Sequence, residues 1–157
     1  MADRPALRLD GYLPYRLSVL SNAVSSRIAR IYEEEFHLSV WQWRVIAVLG
    51  ESPGLTSTEV STRTLMDKPT VSRAAASLLE RDLISRTTDL EDRRRAPLML
   101  TEHGRQIYDA IIPRAVACEK ELLDVLTAGD EATLHVLLTR LAGVVSPDRP
   151  LWNDEGA

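Results

Sequence analysis

Apolar residues recur along this chain every three or four positions, the spacing that puts them on one face of an α-helix. The first such run predicts a helix over residues 12–36. Pro14 fits in its first turn, because the N–H that proline lacks has no helical partner there. One side of this helix carries the apolar residues Leu13, Leu17, Leu20, Val24, Ile28 and Ile31. The helix is therefore amphipathic, and its apolar side needs a partner surface.

Helix-start signals divide the next segment into three shorter helices. Ser39 with Gln42, and Thr56 with Glu59, have the spacing of a capping box, in which each side chain bonds the other residue's backbone N–H. Pro69 suits the first turn of a further helix. The predicted helices span residues 40–50, 57–65 and 68–82. The connection before the last of these is very short, so the last two helices form a helix-turn-helix.

Two short apolar segments follow, and they predict strands over residues 83–88 and 96–100. The loop between them ends in Arg93, Arg94 and Arg95. Two long helices complete the pattern, the fifth capped by Thr101 and the sixth opened by Thr127 with Asp130. The predicted fold class is mainly α with a small β-hairpin wing: a winged helix-turn-helix plus dimerisation helices from both termini.

Composition is consistent with one ordinary globular unit. The chain has 157 residues, of which 45% are hydrophobic and 27% are charged. No apolar run is long enough to span a bilayer, and the first residues lack the apolar core of a secretory signal. The single cysteine, Cys118, excludes an internal disulfide. These features predict a cytoplasmic protein.

The net charge of −4 is unusual for a protein that binds nucleic acid, but the charge is unevenly distributed. Residues 55–101 hold eight Lys or Arg against seven Asp or Glu, whereas the remainder holds 11 against 16. The excess acid therefore lies outside the helix-turn-helix and hairpin, whose surface can be locally basic.

The fourth helix has one apolar and one polar side. The apolar side consists of Val71, Ala74, Ala75, Leu78 and Leu79. The positions that can face DNA are Lys68, Pro69, Thr70, Ser72, Arg73 and Ser77. Arginine pairs with guanine through two hydrogen bonds, and Ser and Thr bond bases or phosphates, so this side suits the major groove. The alternative is an ordinary solvated helix.

The elements around this helix favour DNA binding. The helix before it completes a helix-turn-helix, and the hairpin after it forms a wing with Arg93, Arg94 and Arg95 beside Asp92. One interpretation is a solvated charge run. The other places an arginine in the minor groove, where narrow A·T-rich DNA concentrates negative potential, and lets the aspartate orient it. Cations directly after a candidate recognition helix favour the second.

Three segments resemble the MarR family of winged helix-turn-helix transcription regulators: LSVWQWRVIAVLG (38–50), LTSTEVSTRTLMDKPTVSR (55–73) and LEDRRRAPLMLTEHG (90–104). The resemblance runs in order over residues 12–145. The wing motif of that family, Asp-x-Arg, falls on Asp92 and Arg94, which implies that Arg94 enters the minor groove and that Arg93 and Arg95 contact the backbone. The resemblance also implies a homodimer that binds a pseudo-palindromic double-stranded operator, most often as a repressor.

The long terminal helices support a dimer independently, because they offer more apolar surface than a winged helix needs. A two-fold axis would pair them with a second copy and set the two recognition helices about 34–36 Å apart, in successive major grooves. The alternative is that they cover only their own domain. The predicted division is a dimerisation region (12–37 and 102–146), a DNA-binding domain (38–101) and a flexible tail (147–157).

A small-molecule effector, often an aromatic acid that releases the DNA, is also implied by the resemblance. Arg16 lies beside Tyr12 and Tyr15, and Trp41 and Trp43 begin the next helix. An arginine among aromatic rings suits an aromatic carboxylate, since it can pair with the charge while the rings stack. The alternative pairs Arg16 with an acidic neighbour and places both tryptophans in the core.

Other function classes have little support in the sequence. The chain has no Gly-rich phosphate loop, nucleophile elbow or credible carboxylate pair, so we expect neither an enzyme nor a cofactor. His37, His103 and His135 lack metal-ligand spacing, and Cys118 lies near an apolar helix face, where a small core residue is the simpler interpretation. Two alternatives to a ligand-responsive DNA-binding regulator remain. One is a redox-sensing or metal-sensing regulator of the same fold, and the other is a helix bundle that binds no DNA.

Overall fold

The structure, a computed structural model, describes residues 7–87 and 96–152. These ranges contain six α-helices and one two-stranded antiparallel sheet, which confirms the predicted fold class. After a short 3-10 turn (Leu9–Gly11), the elements are α1 (Leu13–Phe36), α2 (Val40–Glu51), α3 (Ser57–Thr64), α4 (Lys68–Glu80), β1 (Ile84–Arg86), β2 (Leu98–Leu100), α5 (Glu102–Leu123) and α6 (Ala128–Val145). The first four helices lie within about two residues of the predicted ones, and α5 and α6 begin at the predicted caps, Thr101 and Thr127.

The predicted capping chemistry sets these helix starts. At α2, Ser39 Oγ accepts from the Gln42 N–H at 3.3 Å, and the Ser39 N–H donates to Gln42 Oε1 at 2.8 Å. Each such bond satisfies an amide that the first helical turn leaves without a partner. The other capping boxes are Thr56 with Glu59 and Thr127 with Asp130.

The core lies where the second half of α1 meets α2, α4, α5 and the hairpin. Its most deeply buried residues include Tyr32, Leu38, Val45, Ile46, Leu49, Val60, Val71, Ala75, Leu78, Leu83, Ile84, Leu98 and Ile111. The apolar side of α4 is buried as predicted, apart from Leu79, which is half-buried. Two alanines in its middle, Ala74 and Ala75, let α4 pack closely against α2 and α3.

The hairpin is shorter than the sequence predicts. Ile84 pairs with Leu100 and Arg86 with Leu98. Pro97 lies just before β2, where its carbonyl accepts from the Thr87 N–H at 3.0 Å and its missing N–H costs nothing. The tip of the predicted wing, with Asp92, Arg93, Arg94 and Arg95, lies outside the described residues.

The terminal helices expose much apolar surface. The first half of α1 is exposed along its length, and α6 has no buried residue. Exposed apolar side chains on these helices and α5 include Leu13, Leu17, Leu20, Val116, Leu122, Leu134, Leu137, Leu141, Val144 and Val145. In the described part of the chain, no helix is long and apolar enough to cross a membrane.

Candidate nucleic-acid interface

The fourth helix begins at a well-formed cap. Asp67 accepts from both the N–H and the hydroxyl of Thr70, each at 2.8 Å, and Pro69 occupies the first turn as predicted. These hydrogen bonds hold the pKa of the Asp67 carboxyl below its ordinary value. The start of α4 is therefore fixed by its own sequence.

The residues predicted to face DNA follow one another along α4. Lys68, Pro69, Ser72 and Arg73 are exposed, and Thr70 is half-buried. The Arg73 guanidinium lies 3.5 Å from the Thr70 hydroxyl. The structure thus presents a short, polar and cationic surface opposite the buried side of α4.

Ser77 has a second role. Its hydroxyl accepts from Gln42 Nε2 at 2.8 Å, while Gln42 Oε1 accepts from the Ser39 N–H. One glutamine therefore caps α2 and bonds α2 to α4. The sequence pattern identified Gln42 only as a cap, because nothing local shows where its amide N–H groups point.

A groove of about 470 Å³ separates the first turn of α2 from α4. Its lining residues are Ser39, Trp41, Gln42, Thr70, Arg73, Ala74 and Ser77. Trp41 is 45% exposed, and the Arg44 guanidinium lies 5.3 Å from its ring centroid. The groove thus joins Trp41 to the polar side of α4.

Trp43 lies on the other side of α2, because positions two residues apart are separated by about 200° around the axis of an α-helix. Its ring stacks against Tyr32 of α1 at 5.6 Å and against Tyr108 of α5 at 6.2 Å between centroids. Burial raises the pKa of the Tyr32 phenol. Trp41 and Trp43, predicted to share an effector pocket, are therefore separated, and Trp43 belongs to an aromatic stack that joins three helices.

Tyr12, Tyr15 and Arg16 lie together at the exposed start of α1. Arg16 precedes Tyr32 by 16 positions, which is about 24 Å along a helix axis. One copy of the chain therefore does not bring Arg16 to Trp43. Among the described residues, the Arg16 side chain has no ion-pair partner, and the effector site stays a prediction.

The residues considered for metal or redox sensing lie apart. Within residues 7–87 and 96–152, no three His, Cys, Asp or Glu side chains are grouped closely enough to hold a metal ion. Cys118 is half-buried and lines a cavity of about 300 Å³ between α1 and α5, near Val24, Ile28 and Leu122.

Comparison with known proteins gives consistent matches. The family model described as MarR family matches residues 38–95. The transcriptional regulator HosA of Escherichia coli O157:H7 is 30% identical over 112 residues, which cover 71% of this chain and 82% of HosA. The chain spans 58% of the length of a Staphylococcus aureus strain Mu50 HTH-type transcriptional regulator, at 29% identity.

Solved structures extend the match over the whole fold. A MarR/EmrR family transcriptional regulator from Acinetobacter sp. ADP1 is 26% identical, with a TM-score of 0.82 over 90% of this chain and 99% of that one. CouR from Rhodococcus jostii RHA1, solved bound to p-coumaroyl-CoA, shares the fold at 21% identity, with a TM-score of 0.78 over 92% of this chain and 99% of CouR. Together with the six helices and the hairpin, these matches establish that this chain belongs to the MarR family of transcriptional regulators.

Proposed function

We propose that this protein is a transcriptional repressor that binds a pseudo-palindromic double-stranded operator as a homodimer and leaves it when a small aromatic acid or its derivative binds. The observation that carries the DNA-binding part is the polar side of α4. Its exposed residues Lys68, Ser72 and Arg73 lie opposite a buried apolar side, beside the hairpin. Residues 38–101 form the DNA-binding domain of this proposal.

Contacts from the wing complete the interface. In this proposal Arg94 enters the minor groove, Asp92 orients it, and Arg93 and Arg95 contact phosphates. In the sequence these residues fall between β1 and β2, in the predicted wing that follows α4. A helix in the major groove and a cation in the neighbouring minor groove would read shape as well as base edges.

DNA binding is tested by selecting 30-base-pair duplexes from a random library with the wild-type protein and measuring affinity over a salt series. Arg73→Ala is expected to weaken binding. If Arg73 contacts phosphate, the fall of log affinity with log salt should also become less steep, by about one for each half-site. If Arg73 instead pairs with a guanine, specificity at one base position is lost. Arg140→Ala, which removes an exposed charge from α6, is the control and should bind normally. Recovery of no preferred duplex contradicts the proposal.

The effector part rests on the exposed Arg16, Tyr12 and Tyr15 cluster at the start of α1. CouR, a member of this fold class, was solved with p-coumaroyl-CoA, an aromatic acid derivative. An arginine near two phenol rings can pair with a carboxylate while a ring stacks. The dimer would bring such a cluster towards the second copy, with residues 12–37 and 102–146 as the dimerisation region.

The test titrates 4-hydroxybenzoate and 4-hydroxycinnamate into the protein bound to its selected duplex. Wild-type protein should release the DNA, and Arg16→Ala should bind DNA equally well but require far more acid for release. Arg30→Ala, another exposed arginine of α1, is the control and should respond like the wild type. Equal responses from both variants would exclude Arg16 as the anion receptor.

A further inference from the structure

We propose that Trp41, in the first turn of α2, contacts the DNA backbone beside the recognition helix. The inference rests on the proposed DNA binding through α4 and extends the interface to a helix outside α4 and the hairpin. Trp41 is 45% exposed to solvent. It lines the groove between α2 and α4 together with Thr70, Arg73 and Ser77.

Trp41 is held in a fixed position relative to α4. The bond from Gln42 Nε2 to the Ser77 hydroxyl, at 2.8 Å, joins the next residue of α2 directly to α4. Beyond it, α2 packs against α4, and Val45 and Ile46 of α2 and Leu78 of α4 are fully buried. Any surface that receives the polar side of α4 therefore also meets the first turn of α2.

The dimensions of DNA determine what Trp41 would meet. An α-helix with its side chains is about 10–12 Å across, and the major groove is about 12 Å wide. A helix that lies in the groove fills it, so residues that flank the helix face the sugar–phosphate strands at its edges. Trp41 lines the groove beside α4, so in the proposed complex it lies on such a flank.

The chemistry of the indole suits that place. Its N–H is a hydrogen-bond donor that can bond a phosphate oxygen, and its flat ring can pack on a deoxyribose. The Arg44 guanidinium, 5.3 Å from the ring centroid, restrains the ring and adds positive charge near the strand. The core does not use this side chain, because Trp43 fills the aromatic stack on the other side of α2.

Affinity for the selected duplex is measured for Trp41→Ala, Trp41→Phe and the control Trp152→Ala. Trp152 is also 45% exposed, but it lies beyond α6, so it controls for loss of an exposed indole. We expect the dissociation constant to rise roughly tenfold for Trp41→Ala and less for Trp41→Phe, which keeps a ring but lacks the N–H. Because no charge is lost, the salt slope should not change, in contrast to loss of a phosphate-bonded arginine.

Ethylation interference on the same duplex locates the contact. Wild-type protein should be blocked by ethylation of one phosphate at the edge of each half-site, and Trp41→Ala should become insensitive there alone. An unchanged affinity and ethylation pattern in Trp41→Ala overturns the inference, as does an unchanged affinity with loss of the response to 4-hydroxybenzoate, which would assign the groove to a small molecule. If the wild-type protein selects no duplex, the proposed function fails as well, so the two failures are distinguishable.

Discussion

Single residues set how closely the elements of this fold approach each other. A Cβ added to Gly104 would lie 1.9 Å from the Leu83 carbonyl oxygen and 2.9 Å from its carbon. That carbonyl also accepts from the Thr101 N–H at 3.1 Å, so the backbone has little room to move. Glycine at this position is what lets the first turn of α5 lie against the start of the hairpin.

Gly104→Ala is therefore expected to lower the free energy of unfolding by about 3 kcal/mol, because backbone rather than a flexible side chain must yield. Urea denaturation measures the change. The control is Gly129→Ala in the first turn of α6, where the added Cβ meets only the Thr127 hydroxyl at 3.8 Å. It should be neutral or stabilise by less than about 1 kcal/mol. Equal stability of the two variants would contradict the argument.

Asp67 makes the first turn of α4 sensitive to pH. Hydrogen bonds from Thr70 lower the pKa of its carboxyl in the folded protein. The stabilisation is then complete above the unfolded pKa and is lost as the pH falls through the lower folded value. Asp67→Asn keeps an N-cap acceptor but does not titrate. The difference in free energy of unfolding between the wild type and Asp67→Asn should shrink below about pH 4. Urea denaturation at several pH values measures this difference. A difference that stays constant through this range would exclude the cap as its source.

The residue-scale features that the sequence predicted are those that depend on close neighbours. The Ser39–Gln42 cap joins side chains three positions apart, and helix geometry places them. The Gly104–Leu83 contact and the Gln42–Ser77 bond join distant positions. No local pattern specifies such pairs, because they follow from how whole elements pack.

At the scale of elements, the C-terminal end of α4 is attached to α1. Arg81, the residue after α4, donates to the Phe36 carbonyl at 2.7 Å and to the His37 carbonyl at 3.0 Å. Carbonyls at a helix C-terminus lack helical partners and carry partial negative charge, so a guanidinium is well suited to them. His37, with φ of 50°, ends α1 at this point. Two hydrogen bonds thus connect the C-terminal end of α1 to the C-terminal end of α4.

Arg81→Ala should lower the free energy of unfolding by about 2 kcal/mol, the typical contribution of hydrogen bonds to a charged group. The free energy of unfolding of Arg81→Lys should lie between those of the wild type and Arg81→Ala, because one ammonium group cannot reproduce a planar guanidinium that bonds two carbonyls. Arg30→Ala removes an exposed arginine from α1 and should have little effect. If guanidinium denaturation gives the same midpoint for Arg81→Ala and Arg30→Ala, the attachment contributes nothing measurable.

The helices and strands themselves were largely predictable from the sequence. The rotation and rise of an α-helix also determine which of its residues lie near each other. Helix starts followed local caps, whereas the strands, expected over residues 83–88 and 96–100, reduce to Ile84–Arg86 and Leu98–Leu100. The prediction of one pocket for Trp41 and Trp43 overlooks the rotation of about 200° that separates two such residues on a helix. The position of Arg16, about 24 Å along α1 from the stack around Tyr32, follows from the helical rise in the same way.

At the scale of the molecule, the apolar pattern predicts that the terminal helices need a partner surface but not which one. In the described part of a single copy, Leu134, Leu137 and Leu141 of α6 remain 38%, 49% and 39% exposed. The spacing of three and four places them on one face. A contiguous exposed apolar face of this kind marks an interface. A second copy of the chain, as in the proposed dimer, would cover it.

Leu137→Asp places a charge at the centre of that face and should dissociate the dimer, which sedimentation velocity measures. Affinity for the selected duplex should fall more than roughly tenfold, because two linked half-sites bind with an avidity that one lacks. The domain itself should stay folded by circular dichroism, since α6 contributes no buried residue to the core. Ala132→Asp adds the same charge to an exposed position about 200° from Leu134 on α6 and should remain a dimer with normal affinity. If Leu137→Asp also remains a dimer, α6 is not the dimer interface, and the separation of the recognition helices must be set by α1 and α5 instead.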